Sequence, residues 1–230
     1  MWSGMLIGML VAWFSDGHPK YYSMADNQHL AYISDIGAQR LKALFVTGCI
    51  VTTLLFNTAI ASECHFRRKG LLGQGSGTHS KYTSILSQTF ASCGALGLIL
   101  LSIFDTANHE TAHNVFLFIF ILGYLASAIC YCLIYLRLWR PHRQASDLRT
   151  SLAVKVTFTV LEALLVVAFA SLMDTKRNAA AAVEWTIAFI FSFYILSFAY
   201  DFAPLATRKM PARNSAHIEL SNSLSRSFLT

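Results

Sequence analysis

Five long, largely apolar runs restrict this chain to a small set of folds. They cover roughly Leu41–Ala61, Tyr82–Phe104, Asn114–Leu136, Leu152–Leu172 and Ala180–Phe202. Each is close to the ~20 helical residues needed to cross a ~30 Å hydrocarbon core. In lipid every backbone N–H and C=O must find a partner inside its own segment, so runs of this kind become helices. Pro19, Pro141, Pro204 and Pro211 all fall outside the runs, as unbroken helices prefer. A sixth run, Met1–Phe14, is equally apolar but shorter, about 21 Å at 1.5 Å per residue. No basic segment precedes it and no small-residue cleavage site follows it, which argues against a secretory signal. The expected fold is all-α: a polytopic membrane bundle of about six transmembrane helices, the first one short. Residues 1–202 form this domain, and 203–230 read as a disordered, basic, Ser-rich tail.

Composition agrees. Hydrophobic residues make up 55% of the 230 positions and charged residues 13%, against about 25% charge in soluble domains. The five cysteines, Cys49, Cys64, Cys93, Cys130 and Cys132, lie in or beside apolar runs without a CxxC pair. They read as small core residues, with Cys64, Cys130 and Cys132 placed where palmitate could be added. The basic residues set the orientation. Arg67, Arg68, Lys69, Lys81, Arg137, Arg140, Arg143, Arg149, Lys155, Arg208, Lys209, Arg213 and Arg226 share one side, and only Lys20, Arg40, Lys42, Lys176 and Arg177 the other. By the positive-inside rule the first side is cytosolic and holds both termini. Its Arg67–Lys69 and Arg137, Arg140 and Arg143 form a candidate basic face for anionic lipid or a partner, at about 1 kcal/mol per well-placed basic residue.

A few polar residues need reasons. Glu162 lies in the middle of "FTVLEALLVV", where a carboxylate costs about 3 kcal/mol on insertion scales. It is expected to face the bundle, as a hydrogen-bonded structural group or as a lipid-headgroup or proton-coupled site. On the non-cytosolic side, "FDTANHETAH" places Asp105, His109 and His113 at i, i+4 and i+8. If one helix ran through them they would line one drifting stripe, and His at i, i+4 suits two-ligand metal binding. Asp35 in "YISDIGAQ" and Glu184 in "AAAAVEWTIAF" fall on the same side, so the five form a candidate extracytoplasmic cluster. Three uses stay open: a metal site, a headgroup contact, or a hydrogen-bonded cluster that pins helix ends, the last being the expectation. Ser34 beside Asp35, with His109 or His113 as base, is the available nucleophile arrangement, although a triad is recognised by geometry rather than spacing. There is no Walker motif, GxGxxG, internal repeat or nucleic-acid signature, so nucleic acid is not an expected partner.

The segments "AYISDIGA" (31–38), "LILLSIFDTANHETAH" (98–113), "LRTSLAVK" (148–155), "AAAVEWTIAFIFSFYILSF" (180–198) and "DFAP" (201–204) together resemble the Frag–DRAM–Sfk family of multi-pass membrane proteins. The resemblance covers essentially the whole chain and is strongest to the fungal Sfk-like branch. The family also includes the amino-terminal domain of a GPI-lipid remodelling cell-wall protein. Relatives start with a full-length first helix, which is short here. The resemblance implies lipid-membrane biology and divides by branch. Sfk-like members are non-enzymatic plasma-membrane regulators of phospholipid and phosphoinositide organisation, linked to recruitment of a phosphatidylinositol 4-kinase. The GPI branch acts in the Golgi or endoplasmic reticulum as a remodelling factor or lipid hydrolase or transferase. DRAM-like members modulate autophagy from lysosomal or vacuolar membranes. The Sfk-like reading is the expectation, without a cofactor unless an ion sits at Asp105, His109 and His113. Its partners would be anionic membrane lipids and a phosphatidylinositol 4-kinase complex.

Overall fold

The computed structural model of the chain describes residues 1–69, 78–141 and 146–207. Seven helices follow one another: α1 (Trp2–Ser15), α2 (Ile33–Gly37), α3 (Lys42–Arg68), α4 (Thr78–Ile103), α5 (Glu110–Trp139), α6 (Ser146–Leu172) and α7 (Arg177–Thr207). No strand occurs among the described residues. The five long helices are those apolar enough to cross a membrane, and α1 is a shorter apolar helix of 14 residues. The chain is thus an integral membrane helical bundle. Its longest described apolar helix after α7, the 30-residue α5, spans about 45 Å, so its ends project beyond the hydrocarbon.

Helix packing follows chain order and then closes on itself. Helix α3 packs on α4, α4 on α5, α5 on α6, α6 on α7, and α7 returns to α3. Short α1 and α2 lie against α3 and α7 at one end of this five-membered ring. The α4–α5 pair is the tightest, and three glycines explain it. A Cβ on Gly123 would stand 2.5 Å from the Gly94 backbone nitrogen, and one on Gly97 2.6 Å from that of Phe120. Small residues let membrane helices approach this closely, gaining dispersion and dipolar contact in a solvent that offers no hydrophobic drive between helices. Ser87 on α4 adds a hydrogen bond to the Ser127 carbonyl of α5 at 3.1 Å.

The other packing anchors are aromatic. Trp2 of α1 donates its indole N–H to the Ala188 carbonyl of α7 at 2.9 Å, so a polar group taken into the bundle is satisfied. Phe56 of α3 sits at the ring's centre, edge-on to Phe191, Tyr194 and Phe198 of α7 and tilted against Tyr124 of α5. The bundle has two chemically different ends. The first carries the α1–α3 connection, the α4–α5 turn and the α6–α7 turn. The second carries the α3 and α5 C-terminal ends, the α6 N-terminal end and the end of α7. Arg143 and the tail beyond Thr207 lie outside the described residues.

Candidate functional site

At the first end the expected five-residue cluster divides into separate nodes. Helix α4 stops at Ile103 and α5 starts at Glu110, so no helix carries Asp105, His109 and His113 as a stripe. The intervening turn is built by Asp105. Its Oδ1 accepts from the Asn108 backbone N–H at 2.8 Å and from Asn108 Nδ2 at 2.9 Å, and its Oδ2 pairs with Lys42 of α3. Burial opposes the charged form of Asp105, but the hydrogen bonds from Lys42 and Asn108 outweigh it and hold the carboxyl below its usual range. His109 is exposed at the α5 N-cap, with its ring edge on Phe104. His113 is buried and directed elsewhere. Its Nδ1 lies 2.9 Å from both the Leu101 and Phe104 carbonyls at the end of α4. Both partners are acceptors, so Nδ1 carries the proton and satisfies carbonyls that a helix end leaves open.

Asp35 and Glu184 meet around the start of α2 instead. Asp35, 2% exposed, accepts from Ser23 Oγ at 2.6 Å, Tyr32 N–H at 3.0 Å and Gln28 Nε2 at 3.2 Å. Glu184 Oε2 accepts the next backbone N–H, that of Ile33, at 2.8 Å. Trp185 donates to the Ala31 carbonyl, and Asn178 Oδ1 accepts from His29 and Leu30 N–H. The 27–35 segment is therefore fastened to α7 through its backbone. Burial and the Glu184 carboxyl beside it push the Tyr32 hydroxyl up to about 12. Among the described residues no three His, Cys, Asp or Glu side chains gather as a metal-ligand set. No hydrogen bond joins Ser34 to His109 or His113 among them either.

The ring of five long helices encloses a cavity. It runs from Ser34, His113 and Glu184 at the first end to Thr159 and Tyr194 deeper in the bundle. Its volume is about 120 Å³ and it is open on one side. The walls are largely apolar, among them Leu117, Phe120, Leu125, Val166, Phe169 and Phe191. Glu162 lies on this wall, so its side chain faces the bundle. Among the described residues its Oε1 is buried without a hydrogen-bond partner. The lining includes Glu162, Glu184 and His113 but no Lys or Arg.

Sequence reasoning missed a buried ionic cluster near the second end. Lys155 of α6, 1% exposed, pairs with Asp201 of α7 at 2.8 Å. Its ammonium stands 3.8 Å from the centre of the Phe198 ring and within 6 Å of the rings of Tyr131, Tyr135 and Tyr194. Next to it Glu63, fully buried, accepts from Arg67 at 2.7 Å and from the Tyr135 hydroxyl at 2.6 Å. The Arg67 guanidinium lies 4.6 Å from the Tyr135 ring centre, so that ring is shared by the two pairs. Of the expected basic face, Arg67 is thus taken up inside the bundle, and Arg137 bonds Thr83 at 2.7 Å. Arg68, Lys69 and Arg140 are exposed. The i, i+4 spacing of Glu63 and Arg67 was a usable signal; the Lys155–Asp201 pairing had none.

Comparison with known proteins agrees with this architecture. Residues 1–205 match the family described as the Frag1/DRAM/Sfk1/Cwh43P N-terminal domain. Protein SFK1 of Saccharomyces cerevisiae is 26% identical, over 95% of this chain and 79% of that protein. Protein sfk1 of Schizosaccharomyces pombe is 27% identical, over 89% of this chain and 61% of its own length. No solved structure matches.

Proposed function

The chain belongs to the Frag1/DRAM/Sfk1/Cwh43P N-terminal domain family, and from that premise we propose that it is a non-enzymatic membrane regulator of phospholipid and phosphoinositide organisation. In this reading it resides in the plasma membrane and supports recruitment of a phosphatidylinositol 4-kinase. The helix ring holds part of a lipid, and the second end faces the cytosol and contacts anionic headgroups or the kinase. One observation carries the reading, the exposed cations Arg68, Lys69 and Arg140 at the second end. At the first end Lys20, Arg40 and Lys42 are paired with Asp26, Asp16 and Asp105, and Lys176 and Arg177 are exposed. At the second, Arg68, Lys69 and Arg140 are exposed with no carboxylate partner among the described residues. Unpaired cations at a membrane surface attract anionic lipid within a Debye length.

The test is the triple variant Arg68→Glu, Lys69→Glu, Arg140→Glu, with membrane insertion confirmed by protease protection. Kinase recruitment and binding to vesicles containing phosphatidylinositol 4-phosphate are expected to fall. Unchanged recruitment and unchanged vesicle binding would overturn the reading. A second reading, a lipid hydrolase or transferase, draws on Ser34, His113 and Glu184 sharing one end of the cavity. Wild-type lipid composition in cells carrying Ser34→Ala or His113→Ala would exclude it.

A further inference from the structure

The central cavity has a chemical bias that its family membership does not specify. Its walls are apolar and aromatic, as a lipid chain requires, and its ionisable lining is Glu162, Glu184, His113 and the phenols Tyr124 and Tyr194, without Lys or Arg. A phosphate or carboxylate brought into such a space would meet two carboxyl groups and no cation, in a medium where unpaired charge is costly. A group that donates hydrogen bonds meets the opposite situation. Glu184 already accepts the Ile33 N–H, and His113 Nδ1 is committed to the α4 carbonyls. Glu162 Oε1 is buried and has no partner among the described residues. A buried polar atom without a partner is uncommon in folded proteins and calls for one.

We infer that the cavity binds a single-chain lipid whose polar end donates hydrogen bonds, an amine or a hydroxyl, and that Glu162 is the residue that receives it. The inference rests on reading the cavity as a lipid site. Glu162 lies ten residues from the end of α6 at Leu172, about 15 Å along the axis, near the middle of a ~30 Å hydrocarbon core. The polar end therefore sits deep with the first part of its chain along Leu117, Phe120 and Val166, and since the cavity holds only about 120 Å³ the rest of the chain leaves through its open side. A two-chain phospholipid is disfavoured twice, by its phosphate and by the depth of the acceptor.

Three probes of equal chain length separate the polar ends: octadecylamine, octadecanol and octadecanoate. Each competes against a photoreactive octadecylamine for crosslinking to the purified full chain in detergent, with crosslinks mapped by peptide mass spectrometry. Amine or alcohol is expected to compete at least about tenfold better than octadecanoate, the scale of one hydrogen bond to a charged or strongly polar group. Glu162→Leu removes that preference. Glu162→Gln, which keeps an acceptor and the side-chain shape, retains the alcohol and weakens the amine if the amine is the natural class. Equal competition by all three probes, unchanged in Glu162→Leu, would overturn the donor assignment and leave the cavity reading standing. Crosslinks that fall outside the cavity-lining peptides, or persist undiminished in the cavity-filling variant Leu125→Trp, would overturn the cavity reading as well. Both Glu162 variants are compared at matched elution in size exclusion, so a folding defect is seen directly.

Discussion

Lys155→Met is the most informative single change. The lysine is 1% exposed and its partner Asp201 lies 2.8 Å away with its side chain 3% exposed. Removing one member of a buried pair strands the other, at a cost of about 3–5 kcal/mol. Part of that loss is the cation over Phe198, worth about 2 kcal/mol when desolvated. Replacing both charges, in Lys155→Met with Asp201→Leu, removes the stranded charge and should return most of the stability, because buried pairs are often no better than well-packed apolar substitutes. The full cycle of wild type, two single variants and the double measures the coupling. The assay is thermal unfolding of the purified chain in detergent, followed by fluorescence-detected size exclusion. At roughly 2–4 °C per kcal/mol for a chain of this size, each single variant should lose on the order of 10 °C and the double much less. A double variant as unstable as the sum of the singles would refute the pairing. A Lys155→Met protein that melts with wild type would refute the burial of charge.

Three further outcomes follow from local geometry. Gly123→Ala places a methyl against the Gly94 backbone, and overpacking of this kind costs about 1–3 kcal/mol; the same melting assay should show it, whereas Gly4→Ala, with open space around it, should be silent. Asp105 has a folded pKa held low, so its ion pair with Lys42 stabilises above the unfolded carboxylate pKa of about 3.9 and is lost as pH falls through the lower folded value. Melting curves between pH 5 and about pH 3 should therefore fall more steeply for wild type than for Asp105→Asn, by less than about 1 kcal/mol since Lys42 is 42% exposed. His113→Ala leaves the Leu101 and Phe104 carbonyls without their donor, a loss of about 1–3 kcal/mol; equal melting of His113→Ala and wild type would show that water replaces the imidazole.

The spans were legible because hydropathy over twenty residues is a strong signal, and their ends were less so for a physical reason. The expected run ended at Ala61, but α3 continues to Arg68. Its last turns are polar by composition and are held by Glu63, Arg67 and the Tyr135 hydroxyl, none of which hydropathy registers. The side of the membrane shared by Asp35, Asp105, His113 and Glu184 was readable from topology. Their partners were not, because all four bind backbone groups: the Tyr32, Ile33 and Asn108 N–H, and the α4 carbonyls. Backbone atoms carry no sequence signature. Lys155 shows what side counting leaves out. A lysine at the edge of an apolar run counts with the cations of one side, and α6 starts at Ser146 and carries Lys155 more than two turns inward. There Asp201, distant in sequence, meets it across the α6–α7 contact.

Charge is thus distributed by three different rules along the axis of one bundle. At the first end, Lys20, Arg40 and Lys42 are each neutralised by a nearby acid while Lys176 and Arg177 stay exposed, at an end whose loops are fastened to the helices by many hydrogen bonds. Toward the second end, two acids and two cations are buried around Tyr135, and the exposed cations beyond them have no acid beside them among the described residues. In the middle, Glu162 lines the cavity, whose lining includes no Lys or Arg. A structural account covers the first two patterns, since paired charges fix helix positions and surplus cations follow the positive-inside rule. It does not cover the third. An apolar residue at position 162 would cost less to insert, and a donor inside the ring, as inferred above, would account for the carboxyl group whose Oε1 has no partner among the described residues. That makes the occupant of the cavity, rather than the first-end histidines that the sequence brings forward, the point at which the chemistry of this protein is best sought.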